Sequence, residues 1–148
     1  MPSIDLHVTT AVLYAVTALA AWLPAASTAN VNAGATRVGR FAMMRAALIV
    51  GLICHGAALA YALFSGEGLN IGFSHAVSLI VWLVMLAYTL IGFDNQLVRI
   101  VALYLAPIAA VAAILPMVLP AHRVVNYADW AFKMHFVVAI LAYALYTV

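Results

Sequence analysis

Apolar residues in this chain run in long blocks, separated by short polar or glycine-rich stretches. A helix that crosses a bilayer needs about 20 predominantly apolar residues. Four blocks meet that length, over 8–24, 46–64, 71–93 and 97–119. A small-residue linker over 25–45 joins the first two and carries Arg37, Arg40 and Arg45. The stretch 65–70 is short and holds Gly66 and Gly68, so spans two and three are expected to be antiparallel neighbours. Asp94, Asn95 and Gln96 make the next tight turn, and a wet loop over 122–133 leads to a fifth block over 134–148. At 1.5 Å per residue, about 15 residues give roughly 22 Å of helix, against a hydrocarbon core of about 30 Å. The fifth span is therefore expected to be incomplete, as in the front part of a longer protein.

Composition agrees with this pattern. Of the 148 residues, 69% are hydrophobic and 7% charged, with a mean hydropathy of +1.17. A soluble domain carries roughly 25% charged residues, so this chain cannot cover itself with a hydrated surface. It reads as an all-α polytopic membrane bundle of about five spans, forming one transmembrane domain over 1–148. The net charge of +2 reports orientation more than partners. Arg37, Arg40, Arg45 and Arg99 fall on one side and Arg123 and Lys133 on the other, which puts the N-terminus outside. No basic run is dense enough for nucleic acid. The segment before the first block has no Lys or Arg, unlike the basic start of a secretory signal. The one cysteine, Cys54, makes no intramolecular disulfide and no Cys-x-x-Cys-His, which excludes covalent c-type haem attachment to this chain.

Candidate chemistry rests on histidine. Asp5, Glu67, Asp94 and Asp129 all fall in expected loops or termini, so acid–base catalysis and a transporter built on a buried acid are poorly supplied. His135 opens the fifth block behind Tyr127, Trp130, Phe132, Arg123 and Lys133. A histidine where lipid meets water, with aromatics and cations beside it, suits a flat, partly apolar ligand. Haem b is the first candidate, with iron held by His135, Trp130 against the ring and the cations on its propionates. An ordinary aromatic and basic interface belt has the same composition. His55 lies near the middle of span two, where polar side chains usually face the bundle interior. Its helical neighbours Gly51, Ala58, Leu59 and Ala62 are mostly small. That face would admit a flat ring or another helix, so His55 is either an iron ligand, a proton-relay group or a packing residue. His75, one turn inside span three, is either a second ligand or vestibule lining, or an interfacial residue. His7 and His122 read as solvated interfacial residues. Pro107 falls mid-span in the fourth block, where it can bend the helix.

The segment Leu52-Ile53-Cys54-His55-Gly56-Ala57-Ala58-Leu59 resembles the second span of the cytochrome c assembly transmembrane family, the CcsA-type proteins, and most closely their YpjD-like branch. Residues 69–73 leading into 76–80, and the stretch from His135 to Leu145 with its Ala-Tyr-Ala pattern, agree with it. The resemblance covers most of 46–148 and implies an inner-membrane protein of about eight spans, not an enzyme, that handles haem for cytochrome c maturation. By position it makes His135 an external haem ligand and His55 the buried family histidine. The family's tryptophan-rich external motif is absent from 1–148. The alternative is a structural or small-solute transport protein whose histidines pack helices. The partners expected are membrane lipid, haem and other cytochrome c assembly proteins.

Overall fold

The computed structural model describes residues 2–23, 33–64, 72–91, 94–119 and 130–146. The described residues form helices and no strand: α1 (Pro2–Trp22), α2 (Ala33–Phe64), α3 (Phe73–Ile91), α4 (Asn95–Ile100), a π-helical segment (Val101–Leu105), α5 (Ala106–Val118) and α6 (Trp130–Tyr146). Among the described residues, four stretches are long and apolar enough to cross a membrane: Ile4–Trp22, Val38–Leu63, Phe73–Ile91 and Gln96–Val118. The chain is thus a multi-pass helical membrane protein. α6, at 17 residues, spans about 26 Å.

The packing is inverted relative to a soluble bundle. Val8, Val12, Val16, Leu19, Ile53, Ile108 and Val111 are exposed, while His7, Thr10, Thr17, His55, Ser74, His75 and Ser78 are buried. Lipid solvates apolar side chains as well as a protein interior does, so the polar groups turn inward. α1 lies against α2 and α5, and α3 packs on α5, α6 and α2. The apolar core gathers Tyr14, Ala18, Leu48, Leu52, Met85, Val98 and Ala102.

Two boundaries differ from the sequence reading. The 25–45 linker is helical from Ala33 onward, so α2 has 32 residues and is about 48 Å long. Alanine and arginine are good helix formers, and the extra turns carry Arg40 to the end of α1. There Arg40 Nη2 donates to the carbonyls of Ala20 and Leu23. These are among the orphan acceptors that every helix leaves at its C-terminus, and a cation there also opposes the helix dipole. α6 likewise begins at Trp130, earlier than the apolar block, so part of the expected wet loop is helical. Residues 120–129, with His122, Arg123, Tyr127 and Asp129, lie outside the described residues.

The fourth span is continuous but irregular. Asp94 caps it, its carboxylate accepting from Leu97 N at 2.6 Å, as N-cap aspartates do. Pro107 brings no N–H and its ring crowds the preceding turn. The chain answers with one wider turn over Val101–Leu105, where the Ala106 N–H reaches back to the Val101 carbonyl. The far end of α5 is tied to α3, because Ser74 Oγ donates to the Leu119 carbonyl at 2.7 Å.

Candidate functional site

Three helices bring polar side chains to one seam, in layers set by the helical repeat. Along α1, His7, Thr10 and Tyr14 follow at three and four residues. Along α3, His75, Ser78 and Trp82 do the same. α2 runs the other way and contributes Ala62, Ala58 and His55. Each step is about one turn, or about 5 Å. The outermost layer opens into a cavity of about 310 Å³, lined by Ile4, His7, Tyr61, His75, Pro116 and Met117 among others. Its imidazoles come from two different helices.

His7 is 3% exposed and His75 7% exposed, so both are held by packing. The His7 ring faces the Ala113 carbonyl of α5, while its Nδ1 has no hydrogen-bond partner among the described residues. Ser74 Oγ stands 3.5 Å from His75 Nδ1. This placement of His7 corrects the sequence reading, which left it solvated at the interface. The helix begins at Pro2, so His7 already sits in the second turn with its ring directed inward. A signal for it was present: His7, Thr10, Tyr14 and Thr17 recur at helical spacing, and all four are buried.

His55 is fully buried two layers deeper. Its Nε2 and the Ser78 hydroxyl are hydrogen-bonded at 2.9 Å, and the Tyr14 ring meets it edge-on with centroids 5.9 Å apart. Of the two occupants the small-residue face could take, a flat ring or another helix, the described structure shows side chains of other helices at its glycines. A Cβ on Gly51 would stand 2.9 Å from Tyr14 Cε1, and one on Gly56 would stand 2.9 Å from Trp82 Cζ2. Trp82 is anchored there, its Nε1 donating to the Leu52 carbonyl at 2.8 Å. At both glycines the space beside α2 is taken by an aromatic ring.

His135 is exposed on the second turn of α6 and does not line the cavity. Trp130 begins the same helix, and its side chain lies outside the described residues. The structure therefore places His7 and His75 at one cavity, His55 deeper in the same seam, and His135 elsewhere on the surface. Among the described residues, no three His, Cys, Asp or Glu side chains group as a metal cluster. The donor set nevertheless suits haem iron, which neutral imidazoles bind. At about 310 Å³ the cavity sits at the small end of ligand sites, roughly 300–1,000 Å³. A second cavity of about 380 Å³ between α3 and α5 is lined by Val77, Val81, Pro107, Ile108 and Leu115 among others. It offers no donor.

In comparison with known proteins, the chain matches no family model, no curated protein and no solved structure.

Proposed function

We propose that this protein handles haem in a bacterial inner membrane in support of cytochrome c assembly, as an assembly factor and not an enzyme. The observation that carries this reading is the convergence of His7 and His75 on one cavity, with an unpartnered buried Nδ1 on His7. These two imidazoles would hold the iron, and bound haem would supply a redox-active centre or a cargo. Tyr61 and Met117 would pack against the ring edge, and His135, exposed on α6, would offer a first contact on the way in. The Arg40 end of the bundle is opposite the cavity, so the positive-inside tendency turns the cavity outward, where cytochrome c is assembled.

The test is complementation. In cells lacking the native gene, the wild-type chain restores covalent c-type haem, and the His7→Ala/His75→Ala pair fails to do so at equal membrane abundance. Restoration by the double variant contradicts the reading. A second reading is favoured by the His55–Ser78 bond and the Trp82–Leu52 bond: the histidines pack helices in a structural or solute-conducting bundle. Under that reading, histidine variants lose stability and change no haem signal.

A further inference from the structure

Three polar atoms along the seam are buried and without a hydrogen-bond partner among the described residues: His7 Nδ1, the Tyr14 hydroxyl and His55 Nδ1. Left dry, each forfeits the hydrogen bond it would make to water, and natural interiors rarely tolerate several together. They are not scattered. His7 lines the cavity, Tyr14 lies two turns deeper on the same helix face, and Tyr14 meets His55 edge-on. Between the outer and inner layers the side chains are Thr10, Ala58 and Ser78, all small and fully buried. The hydroxyls of Thr10 and Ser78 each retain a free lone pair beyond their bonds to Leu6 O and His55.

We propose that ordered water continues the His7–His75 cavity inward past Thr10 and Ser78 to His55 and Tyr14. The result is a half-path that gives a mid-membrane imidazole proton exchange with the N-terminal end of the bundle only. Buried water needs polar partners, usually two to four, and the seam supplies them at each layer. A water placed there satisfies two orphaned atoms at once, at a modest entropic cost. The path stops at His55. Beyond it the packed core side chains are apolar, Leu48, Leu52, Met44 and Met85 among them. The titratable groups on the elements around the seam are Asp5, His7 and Tyr14 on α1, Arg37, Arg40, Arg45, Cys54, His55 and Tyr61 on α2, and His75 and Tyr88 on α3. α5 brings none. A proton taken from the outer water onto a His55 ring nitrogen therefore returns by the same route. Intramembrane histidines commonly serve such relays. The inference concerns the ligand-free protein and stands whether or not the cavity takes haem.

The experiment is water-edited solid-state NMR on the full chain, labelled with ¹⁵N,¹³C-histidine, in liposomes without haem. The His55 ring signals are expected to build up from water within about threefold of the rate at His75. Slower build-up than that overturns the proposal. Thr10→Val with Ser78→Ala removes both bridging hydroxyls, and should slow His55 by about tenfold while leaving His75 unchanged. An unchanged His55 rate in that variant, with helicity retained, also overturns it.

Discussion

Gly56→Ala offers a sharp test of the packing that holds the seam. Alanine is the better helix former, and the exchange alone stabilises a helix by about 1 kcal/mol. The same change at Gly39, where an added Cβ meets nothing within 4 Å, should show that gain. At Gly56 the new Cβ would stand 2.9 Å from Trp82 Cζ2, 3.0 Å from Cε2 and 3.1 Å from Nε1. Three ring atoms are crowded together, so a small tilt does not clear them. The indole must move, and its 2.8 Å bond to the Leu52 carbonyl goes with it. Overpacking costs about 1–3 kcal/mol and the lost bond about 0.5–1.5 kcal/mol. Set against the propensity gain, the net loss is about 0.5–3.5 kcal/mol. Reversible SDS unfolding in mixed micelles, followed by far-ultraviolet circular dichroism, measures both variants on one scale. Opposite signs at the two glycines support the packing described. Equal stabilisation at both would refute it.

Other expectations follow from the same contacts. His55→Ala removes the partner of Ser78 and leaves a cavity beside Tyr14, so it should cost about 2–4 kcal/mol in that unfolding assay, and a neutral result would mean the ring is not packed as described. Arg40→Ala should raise amide hydrogen exchange in the last turn of α1 by roughly tenfold, equivalent to about 1.4 kcal/mol, with no change at the start of α1. Ser74→Ala frees the Leu119 carbonyl and should destabilise by about 1 kcal/mol, whereas Thr89→Ala, whose hydroxyl only bonds back to Met85 O, should fall within about 0.5 kcal/mol.

The spans were legible because each apolar block is about as long as a bilayer is thick. The break at Asp94 was legible from the polar run Asp94, Asn95 and Gln96, although Asn95 and Gln96 are the first helical residues behind the Asp94 cap and not part of a turn. The start of α2 was not legible. Ala33, Gly34, Ala35 and Thr36 carry little hydrophobic signal, and the added turns draw on the helix propensity of alanine and arginine and bring Arg40 to the Ala20 and Leu23 carbonyls. The wide turn over Val101–Leu105 was equally hidden, since Pro107 announces a bend but not how the chain absorbs it. At the candidate site, His55 was rightly placed in the interior, but its small flanking residues fit two partners equally well. Which one occupies them, a ligand or Tyr14 and Trp82, is decided by other helices. His7 was missed because a histidine seven residues from the N-terminus looks like an interface residue until the helix is known to begin at Pro2. His135 stood out for the opposite reason, because an aromatic and basic neighbourhood looks alike at a ligand site and at a membrane surface.

The central claim, that the imidazoles of His7 and His75 hold haem iron, is met most directly by titrating haem into the purified chain in nanodiscs and recording the Soret region. The account predicts one equivalent of haem with a red-shifted band in the wild type, and loss of that band in the His7→Ala/His75→Ala variant but not in His135→Ala. A wild-type spectrum identical to that of empty nanodiscs with haem, or a band that survives in the double variant, would contradict it.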